Sequence, residues 1–248
     1  MYNEIFDRTR LLLGDDAMAR LARARVIVFG IGGVGSWAVE ALARTGVGHL
    51  TIVDSDTVAA SNINRQLVAL NSTIGRPKVE VMARRIADIN PDCDVTPIND
   101  VYTPENADQW NLEDYDIVID AIDSLASKAE LILRTTSARH PRLVASMGAA
   151  LKGDPLKIDV AEFGKVRGCP LARALRDRFK RQGVWPRRKF QAVYSPELLK
   201  NTAETHAELT VNGMKRPNGT LVYTTAVFGL TLAHLTVQKL IADRNGHD

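Results

Sequence analysis

Cysteine is scarce in this sequence: its 248 residues include two, Cys93 and Cys169, and no C-x-x-C pair. We therefore expect neither a disulfide framework nor a cysteine-rich zinc site. No apolar run approaches the roughly eighteen residues of a membrane span, and the first ten residues lack the apolar stretch of a secretory signal. These absences predict a cytoplasmic protein with no membrane span.

The charge is unevenly distributed. The whole chain carries a net charge of +3, but residues 165–189 contain ten Lys or Arg and one acid, Asp177, and so carry +9. A solvated helix face is the common interpretation of a basic run; an excess this large also favours a polyanionic partner. The candidate contacts are Arg173, Arg176, Arg178, Lys180, Arg181, Arg187, Arg188 and Lys189.

The first half of the chain alternates between strand and helix patterns. The predicted strands are 25–30, 49–54, 94–100, 115–123 and 142–150, and the predicted helices are 36–46, 78–90 and 124–140. This alternation predicts an α/β fold, a Rossmann-like doubly wound and mainly parallel sheet. Ligands of such sheets bind at the carboxyl ends of the strands.

The pattern changes after about residue 150. Residues 156–163 and 220–228 are rich in strand-forming residues and predict antiparallel additions to the sheet. Residues 170–183 predict a basic helix, and 190–206 an irregular connection. Residues 226–243 predict a final apolar helix that packs on the sheet or at a dimer interface.

The segment GIGGVG follows the first strand and opens a helix. Gly30 suits a tight turn, Gly32 the close approach of a phosphate, and Gly35 close packing of helix on strand. With Gly33, these glycines are the candidate floor of a nucleotide site. Asp54 ends the second strand and is placed to bind a ribose hydroxyl, which leaves NAD and ATP equally possible.

The polar loop after Asp54 favours ATP, because arginine and amide groups can hold triphosphate oxygens. Its candidate ligands are Asp56, Asn62, Asn64, Arg65 and Gln66. Lys78 opens the next helix, an unusual place for a cation, and is a candidate phosphate contact. Asp123, at the end of a buried strand, is the candidate Mg²⁺ ligand, and Asp120 either shares that role or orients the turn.

The ordered segments GIGGVG, VDSDTV, SNINRQ, GRPKVEV, INP and IDAIDS resemble the ThiF/MoeB/HesA superfamily of ubiquitin-activating-type adenylating enzymes. The resemblance implies carboxylate activation with ATP and Mg²⁺ in a homodimer. It implies catalytic roles for Arg65, Lys78 and Asp123, and for Arg8, which would reach the partner subunit's phosphates. Residues 1–248 would form one adenylating domain, with an ATP-binding core at 1–160 and a basic substrate-binding segment, late strands and a helix at 161–248.

Finer features resemble the tRNA threonylcarbamoyladenosine dehydratases, among them PLARALRDRFKRQG followed by VYSPE. This likeness implies a tRNA substrate whose threonyl carboxylate is adenylated and then cyclised with net loss of water. The basic residues given above would then contact tRNA, and a sulfur-relay protein is a possible partner.

Two other functions stay open on the sequence. One is an activator of a ubiquitin-like sulfur carrier protein, and the other is a catalytically silent scaffold that binds tRNA and nucleotide. Sulfur-transferring and ubiquitin-type relatives use a cysteine. Some tRNA dehydratases carry one just before a V-Y-S-like stretch, where this chain has alanine at position 192. Cys169, which precedes the basic helix, is either a reactive thiol or a small helix-capping residue.

Overall fold

The structure is a computed structural model that describes residues 4–202 and 218–242. Its strands are β1 (Arg25–Phe29), β2 (His49–Val53), β3 (Asp94–Ile98), β4 (Ile117–Asp120), β5 (Arg142–Ser146), β6 (Asp159–Glu162) and β7 (Gln191–Tyr194). Its α-helices are α1 (Asp7–Leu13), α2 (Asp15–Arg23), α3 (Gly35–Thr45), α4 (Lys78–Ile89), α5 (Leu125–Ser137), α6 (Pro170–Gln182) and α7 (Val222–Ile241).

The seven strands form one sheet in the order β3-β2-β1-β4-β5-β7-β6. The pairs are parallel from β3 to β7, and only the edge strand β6 runs antiparallel, to β7. The predicted Rossmann-like sheet with an antiparallel C-terminal addition is confirmed. The carboxyl ends of β1, β2, β4, β5 and β7 consequently meet at one edge.

Helices cover both faces of the sheet because alternate residues of the buried strands face opposite ways. Val26 and Val28 of β1 pack with α3, α4 and α7, whereas Ile27 and Phe29 pack with α5 and α6. In α6 the fully buried positions Ala172, Leu175 and Phe179 recur at helical spacing. The basic side chains lie largely on its other faces.

Two predictions for the C-terminal third are wrong. Residues 220–228 are not a strand: α7 begins at Val222, so the final helix starts four residues earlier than predicted. The β-branched residues suggested a strand, but Thr225 and Thr231 satisfy their hydroxyls on carbonyls of the preceding helical turn. Gly229 also lets α7 lie directly against α3, since a Cβ there would meet the Val34 carbonyl oxygen.

The predicted irregular connection 190–206 contains β7. This strand has only four residues, which are too few to show a clear alternation of apolar and polar positions. It forms because it hydrogen-bonds to β5 on one side and to β6 on the other. Positions 203–206 of that connection, and position 243 of the predicted last helix, lie outside the described residues. Among the described residues, no helix combines the length and apolar character that crossing a bilayer requires.

Candidate active site

The glycine-rich turn joins β1 to α3 at the carboxyl edge of the sheet. Gly30 has a φ of 90°, and a Cβ there would lie 2.7 Å from the Ala121 carbonyl oxygen. A Cβ at Gly35 would overlap the Gly30 carbonyl oxygen. Gly32 has open space beside it, where the nearest atom to a Cβ is Gln66 Nε2 at 3.8 Å. The first and last glycines therefore fix the turn, and the middle one leaves room for a ligand.

Asp54 braces this turn from the end of β2. Its carboxylate accepts hydrogen bonds from the Ile31 N–H at 2.7 Å and the Asp56 N–H at 2.9 Å. The predicted ribose-binding carboxylate thus lies directly beside the glycine-rich turn. Its contact with a ribose stays a prediction.

Lys78 is 4% exposed, and its ammonium lies 2.6 Å from Asp56 Oδ2 and 4.0 Å from Asp54 Oδ1. This pairing explains why a cation is tolerated at the start of α4. The predicted phosphate contact would require the ammonium to share or leave Asp56. The charge of Lys78 is therefore coupled to the carboxylates of Asp54 and Asp56 in the loop after β2.

The polar loop after β2 folds over the glycine-rich turn. Arg65 donates from Nη1 to the Ser61 carbonyl at 2.9 Å and to Asn64 Oδ1 at 3.0 Å, which holds its guanidinium at the loop. Asn62 accepts from the Ala59 N–H at 3.1 Å. Gln66 is buried, and its Oε1 has no hydrogen-bond partner within the described residues. The Gln66 atom nearest Gly32 is the donor Nε2, which suits a phosphate oxygen, and the buried Oε1 would accept from a donor such as a ribose hydroxyl.

The residues at the end of β4 have different roles. Asp120 is fully buried, its Oδ1 lies 2.7 Å from Lys128 Nζ, and it accepts from the Ile122 N–H at 3.0 Å. Burial raises the pKa of Asp120, and the Lys128 ammonium opposes that shift. Asp123 is exposed and makes no hydrogen bond or ion pair with the described residues. Asp120 therefore orients the turn, and Asp123 is free to bind a ligand.

No group of three or more His, Cys, Asp or Glu side chains in the described ranges could hold a metal by itself. Mg²⁺ commonly binds through one or two carboxylates together with substrate phosphates. Asp123 alone therefore fits a Mg²⁺ that arrives with ATP, and the chain has no all-protein magnesium cage in the part described.

Arg8 lies away from this edge, exposed on α1. It borders a groove of about 470 Å³ between α1, α3 and α7, together with Leu12, Leu13, Ala41 and Leu230. Within the described residues, Arg8 makes no contact with the glycine-rich turn. Its predicted contact with phosphates would need a second subunit.

The basic residues do not form a uniform set. Arg173, Lys180, Arg181, Arg187 and Lys189 are exposed on or after α6.

Three other basic residues are half-buried. These are Arg176, Arg178 and Arg188. The Arg176 guanidinium stands over the Phe163 ring, 5.8 Å from its centroid. Arg188 donates to the carbonyls of Thr135 (2.7 Å), Thr136 (3.2 Å) and Pro141 (2.7 Å). Its guanidinium therefore satisfies carbonyls at and just after the C-terminal end of α5, which distinguishes Arg188 from the other predicted tRNA contacts.

Sequence reasoning missed two residues at this edge. Thr225 of α7 donates to the Arg65 carbonyl at 3.4 Å, and its methyl group lies 3.3 Å from where a Gly33 Cβ would stand. Lys152, six residues beyond β5, is 2% exposed. The available sequence signal for Lys152 was a lysine among small and apolar residues after a parallel strand. No local pattern marks Thr225, because α7 contacts Arg65 from 160 residues away in the chain.

The ThiF family model matches residues 6–247. The tRNA threonylcarbamoyladenosine dehydratase of Escherichia coli is 40% identical over 255 residues, covering 97% of this chain and 95% of that protein. The Bacillus subtilis enzyme of the same name is 36% identical, covering 96% and 95%. The molybdopterin-synthase adenylyltransferase of Salmonella typhimurium is 35% identical, covering 59% and 58%.

Solved structures similar to this chain include the same E. coli protein. The crystal structure of the E. coli tRNA N6-threonylcarbamoyladenosine dehydratase in complex with ATP superposes with a TM-score of 0.84 at 40% identity, covering 96% of this chain and 93% of that one. The complex of that protein with AMP gives 0.85 at 39% identity, covering 96% and 94%. The chain therefore belongs to the ThiF family.

Proposed function

We propose that this protein uses ATP to adenylate the threonyl carboxylate of threonylcarbamoyladenosine in tRNA, and then cyclises the activated group with net loss of water. The observation that carries this proposal is the 40% identity to the E. coli dehydratase over 97% of the chain, which includes the basic segment. The likeness to the molybdopterin-synthase adenylyltransferase covers only 59% of the chain.

The residues at the sheet edge suit the adenylation step. Gly32 lets a phosphate approach the backbone, and the N-terminus of α3 favours anions. Asp54 is assigned to the ribose. Asn62, Asn64, Arg65, Gln66 and Lys78 are assigned to the phosphates, and Asp123 to Mg²⁺, which would neutralise charge on the leaving pyrophosphate.

The second step follows from the first. Hydroxide is a poor leaving group from a carboxylate, whereas AMP is a good one. The carbamoyl oxygen belongs to the same substituent as the activated carbonyl, so it attacks at high effective concentration. Ring closure therefore needs no enzyme thiol, which agrees with alanine at position 192.

We assign the groove bordered by Arg8 to a homodimer. It is lined by apolar side chains of α1 and α7, and Leu12 beside it is 84% exposed. A second subunit seated there would cover this surface and could bring its own Arg8 to the phosphates. We assign the protein to the cytoplasm on the strength of its proposed tRNA substrate, with a sulfur-relay protein as a further proposed partner.

The experiment is to measure pyrophosphate release from ATP and Mg²⁺ with three potential acceptors. These are tRNA carrying threonylcarbamoyladenosine, the same tRNA without the modification, and a sulfur carrier protein ending in Gly-Gly. We expect release only with modified tRNA. Release with the carrier protein alone would assign the chain to sulfur-carrier activation, and ATP binding without any release would indicate a silent scaffold.

A further inference from the structure

Lys152 carries a buried amine that makes no ion pair with the described residues. The side chain is 2% exposed, and Nζ has no hydrogen-bond partner among the described residues. The nearby Glu197 carboxylate is already occupied, by the N–H groups of Gly153 and Asp154 and by Lys157 Nζ. A buried ammonium with no partner is unfavourable. The fold therefore favours the neutral amine of Lys152 over its protonated form.

The electrostatics agree with this geometry. Burial lowers the pKa of Lys152, and the ionisable neighbours Cys169 and Glu197 oppose the shift without cancelling it. Lysine amines buried in this way can act as general bases. An anion-binding lysine would be better served by an environment that keeps it charged.

Lys152 is connected to the polar loop after β2 through two consecutive residues. Thr224 donates from its hydroxyl to the Lys152 carbonyl at 3.3 Å, and Thr225 donates to the Arg65 carbonyl at 3.4 Å. Both threonines lie in the first turn of α7. The lysine and the candidate phosphate contacts are therefore held by the same piece of helix.

The backbone before Lys152 is held in a strained conformation. Leu151 has a φ of 58°, which non-glycine residues rarely adopt. Its N–H donates to the Gly219 carbonyl at 2.9 Å, and its carbonyl accepts from the Leu199 N–H at 2.9 Å. Strain of this kind clusters where side-chain direction matters for function. The two hydrogen bonds fix the direction in which the chain enters Lys152.

The segment between β5 and Leu151 leaves room at the sheet edge. Gly148, Ala149 and Ala150 are half-buried and carry no side chain larger than a methyl group. The nearest atom to a Cβ at Gly148 is Leu171 Cβ at 3.8 Å. The chain between β5 and Lys152 therefore leaves space for a substrate group at the carboxyl edge of the sheet.

We propose that Lys152 is the general base of the cyclisation step. This inference rests on the proposed function and names the proton acceptor of its second half. The carbamoyl oxygen forms a bond to the activated carbonyl carbon, and the bond from that carbon to the AMP oxygen breaks with its electron pair leaving on AMP. The N–H proton of the carbamoyl group passes to Lys152 Nζ, which becomes an ammonium and later releases the proton to solvent.

The test is a single-turnover assay with ATP, Mg²⁺ and modified tRNA that records pyrophosphate release and cyclic nucleoside separately. In Lys152→Met we expect cyclisation to slow about 100-fold or more, the usual contribution of a general base, with a much smaller effect on pyrophosphate release. Lys152→Arg should be as defective as Lys152→Met, because a guanidinium cannot accept the proton. Lys200→Met, which alters an exposed lysine that contacts neither Lys152 nor Glu197 among the described residues, is the matched control and should cyclise normally.

The outcomes distinguish a general base from an anion-binding lysine. Cyclisation by Lys152→Met within threefold of the unsubstituted protein, or its restoration by Lys152→Arg, overturns the inference, and the latter indicates an anion-binding role. Wild-type protein that releases no pyrophosphate with modified tRNA overturns the proposed function, and the inference with it. If the variants do not fold, the pH profile of wild-type cyclisation decides: we expect the rate to fall on the acid side, and a flat profile contradicts a lysine base.

Discussion

The carboxylate of Asp120 and the ammonium of Lys128 lie 2.7 Å apart, and neither side chain has any exposure to solvent. Asp120 also accepts from the Ile122 N–H, so this ion pair anchors the turn that leads to Asp123. A buried pair of this kind adds little net stability, but losing one partner leaves an uncompensated charge in the interior.

We predict that Lys128→Met lowers the free energy of unfolding by about 3–5 kcal/mol, because Asp120 then stays buried without a counter-ion. Chemical denaturation of wild type and variant measures the difference. The double variant Asp120→Asn with Lys128→Met should recover much of the loss. A double variant no more stable than Lys128→Met would mean that the pair is not the source of the effect.

Asp123→Asn should abolish Mg²⁺-dependent pyrophosphate release while the protein stays folded. The substitution keeps the shape of the side chain and removes the charge that we assign to the metal. The measurement is pyrophosphate release over a Mg²⁺ titration, with Asp88→Asn as a control for loss of a carboxylate elsewhere. Near-normal release by Asp123→Asn at ordinary Mg²⁺ concentrations would rule out the assigned metal ligand.

Glu197 should make stability depend on acid pH. Hydrogen bonds from the Gly153 and Asp154 N–H groups, with Lys157, lower the pKa of Glu197 from 4.5 to about 2. A carboxylate whose folded pKa is depressed contributes stability above its unfolded pKa and loses it as pH falls through the folded pKa. We therefore expect Glu197→Gln to cost stability at pH 6 and to converge with wild type between about pH 4.5 and 2. Parallel Tm curves across that range would contradict this reading.

Replacing Arg178, Lys180, Arg181 and Arg187 together with glutamine should weaken tRNA binding and flatten its salt dependence. Each phosphate contact that is lost reduces the slope of log K against log salt by about 0.7–0.9. The measurement is binding of modified tRNA at several salt concentrations. An unchanged slope would place the tRNA on another surface.

Arg188→Met provides the matched control for that experiment. Its guanidinium is occupied by three carbonyls at the end of α5, so its loss should destabilise the protein by about 1–3 kcal/mol, through the unsatisfied carbonyls, and leave the salt slope unchanged.

The sequence could predict the parts of this molecule whose signals are local. Buried apolar strands, the glycines of the turn and Asp54 at a strand end follow from short-range patterns, and the parallel order of the core follows from their alternation. Asp120 and Asp123 could be named as candidates, but only burial and the Lys128 contact separate the two.

The rest depends on distant packing. The first turn of α7 contains threonines and a tyrosine typical of strands, yet it is helical because α7 packs on α3 through Gly229. Arg188 lies in the basic run of the sequence, but its guanidinium donates to a carbonyl at the end of α5. Likewise, α7 contacts the Arg65 carbonyl through Thr225 and the Lys152 carbonyl through Thr224, and both contacts join segments far apart in the chain.

The central claim is tested most directly by weighing the nucleosides of tRNA after reaction. The protein is incubated with ATP, Mg²⁺ and tRNA carrying threonylcarbamoyladenosine, and the digested nucleosides are analysed by mass spectrometry. We predict that the modified nucleoside loses the mass of one water only when ATP is present. A modified nucleoside of unchanged mass, from protein that binds ATP, would contradict the account.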